Sequence, residues 1–321
     1  MLEIKVQTNS SVDKEELVKL YTKQRRNEIG RELGAEEIYI YVRYIEQMFN
    51  SFVTKSFLGY DSDELIGWLG IKEAFPSTML FYEYHPMVVS NANKKQIAQE
   101  LIQESIEYAT EKNIGNIRVF VEVTSARMNR FLESEQYYLH AGMKKTHTVL
   151  CMENKLSNRG LREIVVDSDY HIEPVKSQSI KSLKDCYNRI FAESYDNFTN
   201  SLDDKERIYW DFFQRGEFNE ASIVIRRENE LVALIVAVDH GDYVELGPIG
   251  VVPNNRGKKL GKVLLEKCLS NLIKQGKLEC YLEVDETNTP AINLYAAYGF
   301  FEVSKKHGFL LRIDNNELVQ K

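Results

Sequence analysis

The run Val251-Val252-Pro253-Asn254-Asn255-Arg256-Gly257-Lys258-Lys259-Leu260-Gly261-Lys262 constrains this chain more than any other stretch. An apolar strand enters a turn rich in glycine and lysine, and the turn opens directly into an amphipathic helix. Val263 to Gly276 carries Leu265, Cys268, Leu269 and Leu272 on one face, with Gly276 as the helix stop. Leu278, Cys280, Leu282 and Val284 then alternate with Glu279, Tyr281, Glu283 and Asp285, the period of a strand. Main-chain N–H groups at a helix start, with the positive end of the helix dipole behind them, form an anion site. Arg256, Lys258, Lys259 and Lys262 add positive charge to it. A solvated basic turn between strand and helix would show the same charge pattern, so the loop alone divides the two readings evenly.

Two of the familiar phosphate loops are excluded by spacing. A Walker loop needs Gly-Lys-Ser/Thr after four intervening residues, and Gly261-Lys262-Val263 has neither that spacing nor the hydroxyl. No Gly-x-Gly-x-x-Gly triplet is present for a dinucleotide. What remains is Arg/Gln-x-x-Gly-x-Gly/Ala after a Val-x-Pro strand end, followed by Asn288-Thr289-Pro290-Ala291-Ile292-Asn293-Leu294-Tyr295-Ala296-Ala297-Tyr298-Gly299-Phe300. This order resembles the GNAT acyltransferase superfamily, whose second signature, Asn-x-x-Ala-x-x-Leu-Tyr-x-x-x-Gly-Phe, is matched at every named position. The resemblance covers roughly residues 169 to 313. It implies a loop whose amides hold the pyrophosphate of acetyl-CoA (coenzyme A as cosubstrate). Lys259 replaces the first motif glycine, and the backbone contact survives there if φ stays negative.

The resemblance assigns roles residue by residue. Ile249, Gly250 and Val251 offer backbone groups to the pantetheine arm, a Val251 N–H serving the oxyanion. Arg256, Gly257, Lys258, Lys259, Leu260, Gly261 and Lys262 form the phosphate loop. Asn288 bonds the cofactor or caps the helix that begins at Thr289-Pro290. Tyr295 is the candidate general acid, giving a proton to the leaving thiolate. Glu245 is the candidate base, tuned upward by burial among Val244 and Leu246, or else pointing to solvent by strand alternation. His240 and Asp239 are fallbacks. Pro248, which cannot donate a ladder bond, marks a bulge or splayed edge before the loop. Phe191, Tyr195, Phe198, Tyr209, Trp210, Phe212 and Phe213, interspersed with Asp196, Asp203, Asp204, Glu206 and Asp211, fall where similar proteins cover the acceptor pocket. Ordinary core rings on amphipathic helices would look the same.

The first half repeats the pattern. Ser62-Asp63-Glu64-Leu65-Ile66-Gly67 parallels Glu228-Asn229-Glu230-Leu231-Val232-Ala233, and Tyr82 to Val89 parallels Val244 to Val251. Helices at Lys94 to Lys112 and Val263 to Gly276 each precede a strand ending Val-Glu-Val or Leu-Glu-Val. Helical sequence, Val12 to Gln47 and Ser177 to Gln214, leads each sheet. The expected fold is therefore α/β (α+β), two tandem GNAT-like domains, each with a mixed, mostly antiparallel central sheet flanked by helices. The expected boundaries are 1–156, a linker at 157–168, and 169–321. Ser90-Asn91-Ala92-Asn93-Lys94-Lys95 has neither the arginine nor the glycines of the later turn. The first copy reads as a degenerate domain that buttresses the second and walls its cleft.

With 321 residues and a net charge of −7, the chain has no basic face for nucleic acid. Cys151, Cys186, Cys268 and Cys280 form no Cys-x-x-Cys pair, the six histidines have no metal-ligand spacing, and no apolar run reaches membrane-spanning length. A cytoplasmic N-acetyltransferase is expected, moving an acyl group to an amine of a small molecule or peptide by direct attack in a ternary complex. A homodimer is compatible with the sequence. The rival reading is a non-catalytic acyl-CoA-binding or regulatory protein; an aminoacyl-tRNA-dependent transferase ranks last, for want of a tRNA face.

Overall fold

The computed structural model describes residues 2–74, 78–89, 93–156, 167–192, 218–241 and 243–313. The chain divides into two compact units, Met1–Thr146 with Lys306–Lys321, and His147–Lys305.

In the first unit, β1 (Leu2–Thr8), β2 (Lys55–Asp61), β3 (Glu64–Ala74), β4 (Thr78–Phe81) and β6 (Asn116–Val123) lie side by side, with β5 (Met87–Val88) on β3. The pairs are antiparallel except β4 with β6, which is parallel. Helix α1 (Lys14–Ile29) starts where the Asp13 carboxylate accepts the Glu15 N–H and ends on Gly30 at φ 69°, a left-handed stop that suits glycine. Together with α2 (Ala35–Ser51) it covers one sheet face, burying Leu17, Leu20, Tyr21, Met48 and Phe49 against Leu58 and Trp68. Helices α3 (Lys94–Glu111) and α4 (Met128–His140) cover the other, where Leu101, Ile102, Phe131 and Tyr138 meet Phe57, Leu69 and Val119.

The second unit repeats this order. Its strands run β7 (Lys144–Lys155, from His147 onward), β12 (Glu279–Asp285), β11 (Val244–Val251), β10 (Glu230–Asp239), β9 (Ile223–Arg227) and β8 (Tyr170–Pro174). Only β11 and β12 are parallel. Helices α6 (Leu260–Lys274) and α7 (Thr289–Ala297) fill one face around Leu264, Leu269, Leu246 and Leu282. Helix α5 (Ile180–Phe191) fills the other around Leu183, Ile190, Leu234 and Val236. Both hairpins close through two residues: Asp61 pairs with Glu64 and Arg227 with Glu230. Mixed, mostly antiparallel sheets flanked by helices in two tandem copies are what the sequence pattern predicted.

The division of the chain differs from the expected one. The second unit begins at residue 147, not beyond 157–168, because residues 149–155 of β7 pair with the whole of β12. The first unit takes back the end of the chain: β13 (Phe301–Arg312), from Lys306 on, lies beside β6 and brings Phe309 into that core. Alternation within single strands cannot reveal which sheet a strand joins.

All four cysteines are reduced and buried, and burial pushes the thiols of Cys186 and Cys280 up to about 12. Only a thiolate attacks a disulfide reagent. The native protein is therefore expected to react with Ellman-type reagent at pH 8 to well below one thiol per chain, and with four in denaturant. Fast reaction of the native protein would contradict this burial. Among the described residues, no helix is long and apolar enough to cross a membrane.

Candidate active site

Among the described residues, the sheet of the second unit opens between β11 and β12. Strands β11 and β12 pair only at Val244, Glu245 and Leu246, although β12 continues to Asp285 along β7. Beyond Leu246, β11 keeps β10 alone. Leu246 faces Ala237 and Ile249 faces Ile235, so Gly247 and Pro248 together oppose Val236: the extra residue is a bulge on β11. Past the bulge, Gly250 pairs with Leu234, and the Val252 N–H bonds Val232 O at 2.9 Å. Antiparallel alternation then turns the N–H and C=O of Ile249 and Val251 toward the opening. Arg256 Nε donates to Val251 O at 3.0 Å. The groups left facing the gap are both polar groups of Ile249 and the N–H of Val251, the donors and acceptor that an amide-bearing arm needs.

The chain then makes a short 3-10 turn at Pro253–Asn255, and Gly257 adopts φ 79° before α6 begins. The first intrahelical bond is Val263 N–H to Lys259 O. Among the described residues, the N–H groups of Gly257 through Lys262 have no main-chain acceptor. Six successive donors at the positive end of a 15-residue helix are a built anion cradle.

Lys259 corrects an expectation. Its φ is 63° with ψ 8°, not negative: the residue is left-handed and starts α6 without a side-chain cap. That conformation costs a lysine roughly 1–2 kcal/mol and a glycine almost nothing. The resemblance's glycine at this position thus has a physical reason. Lys259→Gly is expected to raise stability by roughly 0.5–1 kcal/mol in denaturant titration, after allowance for glycine's looser unfolded state. A lower midpoint would show that contacts of the lysine side chain outweigh the strain.

Side chains brace this loop from both sides. Arg256 also reaches Ile190 O at 3.3 Å, so its guanidinium is tied to two carbonyls and shapes the turn. Asn255 Oδ1 accepts from the Tyr170 hydroxyl at 3.3 Å and from Lys258 Nζ at 3.4 Å. A cavity of about 310 Å³ adjoins the loop, walled by Lys258, Lys259, Leu260, Tyr170 and Arg227, with Asp167 and Asp169 at its side. Arg227, from β9, lies over the Tyr170 ring at 5.7 Å and was not singled out in the sequence, where it stands well ahead of the motif. Gly250 serves packing: a Cβ there would stand 2.1 Å from Ile190 Cγ2 of α5. Gly261 passes Leu294 of α7, whose Cδ2 would be 3.3 Å from an added Cβ.

The catalytic candidates fare differently. Tyr295 is in the core of the α6–α7 face, 5.9 Å from the Phe300 ring, and burial pushes its phenol up to about 12. Asn288 caps α7, its Oδ1 accepting from Ala291 N–H at 3.3 Å. Glu245 is not buried among Val244 and Leu246. Those two point into the α6–α7 core, and alternation turns Glu245 to the other face, where its side chain is 46 % exposed. There its Oε2 lies 3.0 Å from His240 Nε2, and the imidazole stacks on Tyr243 at 4.9 Å. The hydrogen bond from Lys277 holds the Asp239 carboxyl below the usual range, so Asp239 is an ion-pair partner. Lys262 is exposed at the helix start. Of the acceptor-covering residues only Phe191 is described, against Tyr187 at 4.6 Å; Tyr195, Phe198, Tyr209, Trp210, Phe212, Phe213, Asp196, Asp203, Asp204, Glu206 and Asp211 lie outside the described residues.

Comparison with known proteins bears on the fold and the family. The sequence profile of the acetyltransferase (GNAT) family matches residues 15–136 and again 183–300. A mycothiol acetyltransferase of Thermomonospora curvata is 28% identical over 167 residues, 50% of this chain and 53% of that protein. The [ribosomal protein bS18]-alanine N-acetyltransferase of Escherichia coli K12 is 34% identical over 76 residues, 24% of this chain and 51% of that one. The chain thus spans about half the length of the curated relatives it matches. Among solved structures, a GCN5-related N-acetyltransferase from Sphaerobacter thermophilus superposes with a TM-score of 0.64 at 14% identity, covering 97% of this chain and 95% of the other. A tandem GNAT protein from the clavulanic acid biosynthesis pathway gives 0.60 at 12% identity, covering 97% and 98%. With two matches that together take in well over half of its length, the chain belongs to the acetyltransferase (GNAT) family and carries one copy of the family's domain in each half.

Proposed function

We propose that the second unit is an N-acetyltransferase, transferring an acetyl group from acetyl-CoA to an amine of a small molecule or peptide by direct attack in a ternary complex. The observation that carries this is the coincidence of two features between Ile249 and Lys262. The free edge of β11 at Ile249 and Val251 leads straight into the unpartnered amides of Gly257 to Lys262. An arm with amides and a diphosphate at its end fits one after the other, and family membership supports the choice of ligand. The cosubstrate supplies an activated thioester carbonyl. Ile249 and Val251 fix the arm, and the Val251 N–H is the nearest donor for negative charge on the carbonyl oxygen.

Tyr295 acts on the sulfur. At about 12, its phenol would protonate a free thiolate (~8.5) only uphill, by roughly 5 kcal/mol. Its role is therefore that of a hydrogen-bond donor that steadies sulfur as charge builds. The amine's proton goes to the His240–Glu245 pair, in which the carboxylate orients the imidazole. The first unit does not take acyl-CoA: Lys94, at the start of α3, is joined to Glu133 at 2.7 Å. Four buried free thiols accord with a reducing, cytoplasmic setting.

The test is release of free thiol from acetyl-CoA by the purified full chain with a panel of amines, amino acids and peptides. The alanine named for the bS18 enzyme puts peptide amines in that panel. Acceptor-dependent thiol release is expected. Acetyl-CoA binding without release by any acceptor would favour the non-catalytic binding module, and no binding at all would remove the assignment.

A further inference from the structure

The first unit has a cavity of its own, about 770 Å³, between α1, α2, the Glu83–Tyr84 segment after β4 and the residues leading into α4. Seven charged side chains line it, and five are neutralised locally. Arg25 pairs with Glu28 at 3.0 Å, Lys94 with Glu133 at 2.7 Å, and Arg127 stands 3.7 Å from Glu122. Among the described residues Glu83 and Arg130 make no ion pair within 4 Å, although Lys306 and Arg127 act on Glu83 from further off. Glu83 is half-buried and receives the Glu122 N–H at 2.6 Å; burial raises its carboxyl despite that bond. Arg130 lies against the Tyr21 hydroxyl and 5.5 Å from the Tyr84 ring. Between these charges the wall is aromatic, with Tyr41 and Tyr44 within 6 Å of Tyr21, and the rim carries the exposed apolar Ile40 and Met128.

We infer that this cavity binds a zwitterion with an apolar middle, an α-amino acid or dipeptide, its ammonium on Glu83 and its carboxylate on Arg130. A half-buried carboxylate acted on by Arg127 and Lys306 only from beyond ion-pair contact, and a guanidinium with no carboxylate in contact, each leave room for a short-range partner of opposite charge. A molecule bearing both charges supplies the two at once, and its side chain takes the tyrosine wall. Guanidinium recognises a carboxylate through two parallel N–H bonds, which lysine would not reproduce. The second unit's chemistry plays no part in this site.

Calorimetry on the full chain with the twenty amino acids and a set of dipeptides tests it. For the best binder, analogues lacking the amine or lacking the carboxylate are measured on the unaltered protein. Each deletion is expected to weaken binding at least tenfold. Glu83→Gln should erase the advantage of the amine, and Arg130→Gln that of the carboxylate, with Arg130→Lys restoring only part. The thermal midpoint of each variant checks folding, and if one variant fails to fold, the ligand analogues alone decide. The inference is overturned by absence of zwitterion binding at millimolar concentration, by an amine-only ligand that binds equally well, or by binding that survives in both folded variants.

Discussion

Tyr295→Phe is expected to lower turnover about a hundredfold, the scale of one lost hydrogen-bond donor to charge that develops in the transition state, with the affinity for acetyl-CoA nearly unchanged. The phenol ring is packed in the α6–α7 core beside Phe300, and phenylalanine keeps that ring. Under the proposed mechanism the variant loses one O–H at the sulfur, an interaction that strengthens only as the carbon–sulfur bond opens. The loss therefore belongs in kcat and not in KM. Steady-state kinetics with a fixed acceptor, alongside calorimetry with acetyl-CoA, separates the two. An unchanged kcat would remove Tyr295 from the chemistry and leave it a core residue. A weakened acetyl-CoA affinity with normal kcat would place its hydroxyl on the cosubstrate in the ground state.

Gly250→Ala is expected to destabilise the protein by roughly 2–3 kcal/mol, the upper range for overpacking a core. The new methyl would stand 2.1 Å from Ile190 Cγ2, far inside contact distance, so α5 or β11 must shift. Either movement disturbs the active edge, because Ile190 O also holds Arg256 and Val251 O holds the same guanidinium. Ile190→Ala removes the offending methyls, at a cost of its own from the cavity it leaves. In that background Gly250→Ala should cost little, and the non-additivity, read from denaturant midpoints of the four proteins, measures the clash. Additive costs would mean that the backbone of β11 yields without meeting α5.

The motif stretch was legible because each of its requirements is local. A strand running up to Pro253, a glycine-bearing turn and a helix of period 3.6 are set by neighbouring residues, and the structure returns them with boundaries moved by a few positions. The repeat was legible for the same reason, since each copy closes its hairpin through a short polar turn, with positive φ at Ser62-Asp63 in one and at Glu228 in the other. Glu245 shows the limit. Its neighbours left a buried carboxylate and a solvent-facing one equally open, because the face of a strand that is buried depends on which helices cover it, here α6 and α7. Ile190 shows it again: no pattern near Gly250 announces a side chain sixty residues earlier. Lys259 departed from the motif, and only the backbone reveals that the departure is strained.

The crossing of β7 and β13 between the two compact units has a practical corollary for anyone cutting the gene. A fragment started at residue 169, where the polar sequence invites a scissor, would lack β7 and strip seven residues of β12 of their antiparallel neighbour. Such a bared strand edge invites aggregation. Ending the other fragment at residue 156 would delete Phe309 from a core built around it. Though each half carries a copy of the family's domain, no single cut between them leaves both cores whole.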